Sequence, residues 1–426
     1  MKRKLYSELI KWKGSSRRKP LVLQGARQVG KTYLLKLFGE KEYSDFAYFN
    51  FEEDRSLRGL FEGRLDPSRI VENLGIYRGK KIEPQETLII FDEIQESKNA
   101  LNSLKYFQES GRDYHIVCAG SYLGIKLSKE ASFPVGKVNF LRLHPLLFSE
   151  FLQAAGKTKL AEYLSSIKKA EPLPEPFHEE LVEQLKTFQF IGGMPECVKT
   201  YVESRDFGEV REVQKEILNS YLLDLAKHAG TADVAKVSSL WDVIPSQLAK
   251  ENRKFIFSAI KKSARAREYE GALQWLLDSG LVYKSRHVSK AGIPLSGYAE
   301  NSIFKIYFLD VGLLGASLNL NPKVVINGHD LFTEFKGALT ENFVAQEIVG
   351  IGREPLFYWT SKGQAEVDFL CEFEGKVLPL EVKAGLSHHK KSLLEYGKAH
   401  KKVLLSRSTL MNLRRDGDVV NYPLYL

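Results

Sequence analysis

The fold of this chain is decided by a short stretch near its start, which reads Gly25-Ala26-Arg27-Gln28-Val29-Gly30-Lys31-Thr32. It fills every fixed position of the pattern G-x-x-x-x-G-K-[ST], and it stands between an apolar strand and a predicted helix. In such a loop the backbone N–H groups surround phosphates, the lysine reaches the outer phosphates and the threonine hydroxyl binds Mg2+. All eight residues are therefore predicted to bind ATP, with Thr32 also binding Mg2+.

An acidic strand end supports this prediction. Residues 87–93 form an apolar run that ends in Asp92 and Glu93, as a buried parallel strand does at the carboxyl edge of a sheet. Asp92 is predicted to bind Mg2+, and Glu93 to orient and polarise the attacking water, with Lys31 acting on the phosphates. The next strand ends near Ser121, a candidate sensor of the γ-phosphate. ATP and Mg2+ are the expected cofactors, and ATP hydrolysis is the expected activity.

Length and composition limit the class of protein. The chain has 426 residues, of which 43% are hydrophobic and 27% charged, which favours two or three globular domains. We find no apolar run long enough for a bilayer and no signal peptide in the sequence, so we expect a cytoplasmic protein without a membrane partner. Cys118, Cys197 and Cys371 fit no disulfide or zinc spacing, which favours a reducing compartment.

The net charge of +9 is concentrated in two segments. Residues 1–19 contain eight Lys or Arg and one acidic residue, and residues 250–267 contain seven and one. Such segments either bind a polyanion or form solvated faces, and charge alone does not distinguish the two. Helical patterns within 245–277, followed by a strand, would suit a winged helix that binds DNA. The alternative is a module that packs between domains.

Acidic residues in the C-terminal part form a second candidate site. Glu341 lies on a predicted helix, while Asp368 and Glu381 lie on two strands joined by a turn at 374–376. The strand period of two places Glu381 and Lys383 on one face. This order matches a PD-(D/E)xK nuclease, although Asp368 follows valine rather than the proline that names the motif. The three acids would bind Mg2+, and Asp368, Glu381 and Lys383 would act in catalysis. The alternative is a strand with alternating surface charge.

Several motifs together resemble the AAA+ ATPases, and more narrowly the archaeal and bacterial family that joins such a core to a domain of unknown function (number 4143). Besides the phosphate-binding loop, these motifs are found at residues 91–95, 119–121, 143–151, 192–196 and 304–313. The resemblance covers nearly the whole chain. It implies an α/β multidomain protein with an AAA+ parallel sheet, a helical lid, a winged-helix-like middle and a restriction-endonuclease-like C-terminal domain.

We expect the divisions to be a basic segment (1–18), an AAA+ core (19–150), a helical lid (151–204), a winged-helix-like domain (205–295), a connector (296–330) and a nuclease-like domain (331–426). The proline-rich segment 171–176 is expected to be an extended, exposed link. No arginine finger is assigned, because the chain has Gly136-Lys137 where relatives often carry an arginine. A homo-oligomer is therefore neither predicted nor excluded.

Two functions stay open at the level of sequence. In the first, ATP binding and hydrolysis control a C-terminal domain that binds or cleaves DNA. In the second, the C-terminal domain is catalytically silent and binds a protein partner, as in signalling or defence ATPases.

Overall fold

The computed structural model describes residues 1–120, 136–228, 231–249, 254–327, 333–361, 365–400 and 403–426. They form two compact units, the first made of Lys2–His144 with Asp278–Gly280 and the second of Pro145–Leu277 with Leu281–Leu426. In these described ranges no helix is long and apolar enough to cross a membrane. Ser121 lies outside the described residues, as does Arg253 of the second basic stretch, residues 250–267.

The first unit is built on a five-stranded sheet in which every neighbouring pair of strands is parallel. Its strands are β1 (Leu21–Gln24), β2 (Asp45–Asn50), β3 (Thr87–Asp92), β4 (His115–Ala119) and β5 (Asn139–Arg142), in the order β2-β3-β4-β1-β5. All residues of β3 and β4 are buried, as expected for central parallel strands covered on both faces. The predicted parallel α/β sheet is confirmed.

Among its described residues this unit has the α-helices α1 (Tyr6–Lys13), α2 (Lys31–Glu42), α3 (Pro67–Arg78) and α4 (Lys98–Ser110). The side chain of Asp66 caps the first turn of α3, and Ser97 caps α4 in the same way, which satisfies backbone N–H groups that have no partner within the helix. The basic N-terminal segment is more than a solvated face, because it forms α1 and buries Leu9 and Trp12.

The second unit begins with a helical part. Its helices are α5 (Phe148–Ala154), α6 (Thr158–Ser166), α7 (Glu175–Ile191), α8 (Pro195–Ser204), α9 (Phe207–His228), α10 (Thr231–Ala249) and α11 (Ala266–Asp278). The proline-rich segment is extended and mostly exposed only as far as Pro174. Pro176 lies in the first turn of α7, a position where proline is well tolerated because its missing N–H would have no helical partner. Leu173 is buried, so the segment is not a free link.

An eight-stranded mixed sheet completes the second unit. Its strands are β6 (Val282–Val288), β7 (Ala299–Phe308), β8 (Leu356–Thr360), β9 (Glu366–Phe373), β10 (Lys376–Val382), β11 (Leu405–Thr409), β12 (Arg414–Asp416) and β13 (Val419–Pro423), in the order β12-β13-β11-β10-β9-β8-β6-β7. The remaining helices are α12 (Val311–Ser317), α13 (Pro322–Asn327), α14 (Thr333–Gly350) and α15 (Lys391–Ala399).

The hairpin of β6 and β7 is part of this C-terminal sheet, because β6 pairs in parallel with β8. On the sequence, β6 falls in the predicted winged-helix-like domain and β8 in the predicted nuclease-like domain. Both lie in the same compact unit. The six divisions and the winged helix stay predictions.

A buried carboxylate joins α12 to the end of α7. Asp310, which is fully buried, accepts hydrogen bonds from the backbone N–H groups of Leu313 at 3.0 Å and Gly193 at 2.5 Å. Burial raises the pKa of Asp310 to about 6, against the lowering effect of these N–H donors. The two segments approach so closely that a Cβ built on Gly312 would lie 2.3 Å from the carbonyl oxygen of Ile191.

Two glycines of α12 provide a matched test of this close approach. We expect Gly312→Ala to lower the free energy of unfolding by about 1–3 kcal/mol, because the methyl group meets rigid backbone. At Gly315 the nearest atom to a built Cβ is 4.0 Å away, so Gly315→Ala should raise stability by up to about 1 kcal/mol through helix propensity. Urea denaturation of the full chain measures both, and equal stabilities of the two variants would contradict the packing described.

Candidate functional site

The phosphate-binding loop connects the end of β1 to the start of α2. Gly30, which immediately precedes α2, has a φ of 93°, in the left-handed region that favours glycine. The helix then begins at Lys31, so its first backbone N–H groups lie at the end of the loop. The arrangement of strand, loop and helix is the one that the sequence predicts.

Lys31 is buried against its own loop. Its Nζ donates to the carbonyl oxygens of Gly25 at 2.9 Å and Ala26 at 2.8 Å. Burial lowers the pKa of Lys31 to about 8, even though the nearby carboxylates of Glu93 and Asp92 act to raise it. An ammonium with such a pKa needs a negative partner to keep its proton in mildly alkaline solution.

The remaining loop residues differ in exposure. Ala26 and Val29 are buried, Arg27 is half-buried and Gln28 is exposed. The N-terminal Arg3 donates from Nη1 to the carbonyl oxygen of Val29 at 3.1 Å. At least one charge of the basic segment therefore supports the loop.

Thr32 and Asp92 meet at the carboxyl edge of the sheet. The Thr32 hydroxyl donates to Oδ2 of Asp92 at 2.7 Å, and Asp92 is 3% exposed. Hydroxyl and carboxylate oxygens are ligands that Mg2+ prefers, and it binds such sites with only one or two carboxylates. The two residues therefore fit a Mg2+ ion that accompanies a phosphate.

Two further residues of this edge were not identified from the sequence. Tyr48 of β2 donates its hydroxyl hydrogen to the same Asp92 oxygen at 2.8 Å. Gln95 donates its side-chain N–H to the carboxylate of Glu93, which follows Asp92 with a φ of 47°. Gln95 lies within the motif at residues 91–95, so its position was available from the sequence. The contact of Tyr48 with Asp92 depends on the pairing of β2 with β3, which the sequence does not specify.

The C-terminal site is positioned by α14 and the sheet. Asn342 of α14 accepts from the backbone N–H of Phe308 at 2.7 Å and donates to its carbonyl oxygen at 3.1 Å. This pair fixes α14 against β7, so the neighbouring Glu341 side chain is held at the sheet. Asp368 lies on β9 and Glu381 on β10.

Three of the predicted residues, Asp368, Glu381 and Lys383, each take part in an ion pair or a hydrogen bond. Lys383 Nζ lies 3.2 Å from Oε1 of Glu381, and Oδ2 of Asp368 accepts from the backbone N–H of Val382 at 2.7 Å. Burial raises the pKa of Asp368 to about 8, and the charge of Glu341 adds to this effect, whereas Lys305 and Lys383 act to lower it. Asp368 and Glu341 therefore act on one another electrostatically.

Lys305 of β7 contacts two of the carboxylates, a role that the sequence did not reveal. Its Nζ lies 2.8 Å from Oε1 of Glu341 and forms a second ion pair with Glu366. The hydroxyl of Tyr307 also donates to Oε1 of Glu341. Side chains two residues apart on a strand lie on the same face. A lysine and a tyrosine at this spacing in an apolar strand therefore indicate a polar cluster on that face.

The contacts of Glu341 do not leave room for a divalent cation as they stand. A carboxylate oxygen of Glu341 already accepts from two donors, one of them a buried ammonium. In the part of the chain that the structure describes, no group of three His, Cys, Asp or Glu side chains could hold a metal ion. The assignment of Mg2+ to Glu341, Asp368 and Glu381 stays a prediction.

The basic residues near α11 are on the surface. They are exposed along the segment that leads into the helix and in its first turn, at Lys254, Lys261, Lys262, Arg265 and Arg267. Lys261 makes a weak contact of 3.8 Å with Glu268. The segment therefore offers positive charge to solvent.

Three family models match parts of the sequence. An AAA domain matches residues 17–152, a domain of unknown function (DUF8612) matches 182–324, and another domain of unknown function (DUF4143) matches 336–425. The first match includes the whole five-stranded sheet. Residues 17–152 thus match an AAA domain and residues 336–425 match DUF4143, as the resemblance implied. No curated protein matches the chain significantly.

Similar solved structures include three from other proteins. They are Aeropyrum pernix ORC1 in complex with DNA (13% identity, TM-score 0.29, covering 80% of this chain and 92% of that chain), the Thermotoga maritima RuvB Holliday junction branch migration motor (15%, 0.30, 68% and 87%) and AMPPCP-bound DnaA from Aquifex aeolicus (13%, 0.29, 64% and 86%). These TM-scores are too low for the likeness to carry an argument about this chain.

The lowered pKa of Lys31 predicts how phosphate binding depends on pH. Below pH 8 the side chain is mostly an ammonium, and above pH 8 it loses the proton that phosphate oxygens attract. We expect the affinity for ATP, measured calorimetrically, to fall roughly tenfold between pH 7.5 and pH 9. Proton uptake on binding at pH 8.5 should appear as a difference between buffers of unequal ionisation enthalpy. An affinity for ATP that does not change over this range would contradict the assignment of Lys31 to phosphate binding.

Proposed function

We propose that this chain binds ATP with Mg2+ and hydrolyses it, and that the bound nucleotide controls the C-terminal domain. The observation that best supports this function is the meeting of Thr32 and Asp92 at 2.7 Å beside Lys31 and Glu93. Catalysis of phosphoryl transfer needs positioning and charge stabilisation more than covalent chemistry, and these four side chains supply both.

Each side chain has a definite part in this proposal. The ammonium of Lys31 moves from the loop carbonyl oxygens to the β- and γ-phosphates of ATP. Thr32 and Asp92 would hold a Mg2+ ion, which would supply positive charge against the phosphates. Glu93 accepts a hydrogen bond from the attacking water and orients it, while Gln95 positions the Glu93 carboxylate. Ser121 is proposed to contact the γ-phosphate, as in the expected AAA+ site.

Glu93→Gln tests the role of the water-orienting carboxylate. We expect hydrolysis to fall by about 10²- to 10⁴-fold, the usual contribution of a general base, while ATP binding is retained. Glu96→Gln is the matched control, because Glu96 lies in the same short turn and pairs with Arg58. Phosphate release and fluorescent-nucleotide binding measure the two properties. Turnover by Glu93→Gln equal to that of the control would reject the role.

For the output of the ATPase, we propose DNA binding by the second compact unit. The exposed lysines and arginines around α11 support this output, since phosphate contacts dominate the affinity for DNA. Cleavage of the DNA by Asp368, Glu381 and Lys383 stays a hypothesis. The pairing of Glu341 with Lys305 favours the second candidate function, in which the C-terminal domain is a catalytically silent module for a protein partner.

One experiment separates these outputs. Purified chain is incubated with DNA, ATP and Mg2+, and cleavage and binding are compared between the wild type and Asp368→Ala. We expect binding that weakens with added salt, and no cleavage. Cleavage that Asp368→Ala abolishes would establish the nuclease instead. If neither binding nor cleavage occurs, the DNA hypothesis fails, and loss of a protein partner in Lys31→Ala becomes the test of the second candidate.

A further inference from the structure

A buried lysine lies at the centre of the C-terminal carboxylates. The Lys305 side chain is only 8% exposed and its Nζ forms ion pairs with Glu341 and Glu366. The ammonium also lies 5.2 Å from the centre of the Tyr358 ring. Burial lowers the pKa of Lys305, but Glu341, Tyr307, Glu366 and Asp368 together raise it well above its usual value.

Carboxylates that are largely withdrawn from water, as Glu341 and Glu366 are with side chains 25% and 17% exposed, are strongly stabilised by a positive partner, because burying an unpaired charge is costly. A divalent cation and an ammonium both meet this requirement, but they do so differently. Mg2+ binds oxygen ligands directly at about 2.0–2.1 Å in near-octahedral geometry. An ammonium donates three hydrogen bonds from the end of a covalently attached chain. Oε1 of Glu341 already accepts two hydrogen bonds, which leaves that oxygen no lone pair for a metal ion.

The contacts in this cluster are those of an ammonium site. Oε1 of Glu341 accepts from Lys305 and from the hydroxyl of Tyr307, two side chains that β7 presents on one face. On the other side of the cluster, Asp368 accepts from the backbone N–H of Val382. Lys383 adds a second positive charge, paired with Glu381 at 3.2 Å. Two lysines therefore provide the positive charge that a metal ion would otherwise bring.

We propose that Lys305 is an internal counter-ion that takes the place of a divalent cation, so that the C-terminal domain folds and acts without a bound metal. The strand that carries Lys305 delivers the positive charge during folding. This inference is independent of ATP hydrolysis, because no residue of the phosphate-binding loop takes part in it.

Direct metal binding tests the inference on the nucleotide-free full chain. Mn2+ binding is measured by electron paramagnetic resonance and calorimetry for the wild type, Lys305→Met, Lys305→Met with Glu341→Gln, and Lys284→Met. The last variant is the matched control, because Lys284 lies on the adjacent strand β6, opposite Ile306, and its Nζ contacts the Phe304 ring. Any Mn2+ bound at Thr32 and Asp92 is common to all four proteins.

We expect the carboxylates around Lys305 to rearrange in Lys305→Met and to bind one Mn2+ ion that neither the wild type nor Lys284→Met binds, with a gain in affinity of at least about tenfold. The added Glu341→Gln change should abolish that site. The thermal midpoint of the wild type should be the same in EDTA and in Mn2+, whereas Lys305→Met should be stabilised by Mn2+.

Two results would overturn the proposal. One is a Mn2+ ion bound by the wild type that Glu341→Gln removes. The other is a folded Lys305→Met, with the near-ultraviolet circular dichroism of the wild type, that gains no Mn2+ site. If Lys305→Met does not fold even with Mn2+, the thermal midpoints of the wild type and Glu341→Gln are compared in EDTA and in Mn2+. A wild-type midpoint that Mn2+ does not change supports the proposal, and one that Mn2+ raises only when Glu341 is present overturns it. An inactive ATPase would alter none of these measurements, so the two proposals fail separately.

Discussion

The hydrogen bond between the Thr32 hydroxyl and the Asp92 carboxylate holds the candidate ATP site together. It connects the first turn of α2 to the end of β3, although β4 lies between β1 and β3 in the sheet. Parallel pairing brings the carboxyl ends of all these strands to one edge. A loop that binds phosphate and an acid that binds a metal ion can then act on the same ligand, and the distance between them is fixed by the sheet rather than by flexible segments.

The same physical constraint, that a buried charge needs a partner, has different solutions elsewhere in the chain. Asp310 is satisfied by backbone N–H groups and the amide of Gln346, and its carboxyl serves as a joint between α12 and the segment after α7. Lys31 is held by two carbonyl oxygens that a phosphate can replace. Lys305, by contrast, is held by carboxylates, which do not release an ammonium readily. The arrangements at Asp310 and Lys305 therefore suit permanent structure, whereas the arrangement at Lys31 suits exchange with a ligand.

Much of the first unit could be predicted from the sequence, because its signals are local. The motif at 25–32, the apolar run before Asp92 and the alternation of strands with helices each depend on neighbouring residues. These local signals were enough to predict the parallel sheet and to assign Thr32 and Asp92 to one site. Tyr48, Lys305 and Glu366 were missed, because their roles arise from strand neighbours that are far apart in the sequence. The joining of β6 to β8 was missed for the same reason, since a strand does not specify its partner.

The shared sheet of the second unit has a consequence for dissecting this protein. A chain cut near residue 330 would keep β6 and β7 but lose β8, leaving the backbone groups along one side of β6 without their partners. An isolated two-stranded hairpin is marginally stable in water, and an unpaired strand edge is a template for aggregation. The hairpin and the C-terminal strands must therefore be expressed, exchanged between homologues or lost in evolution as one piece.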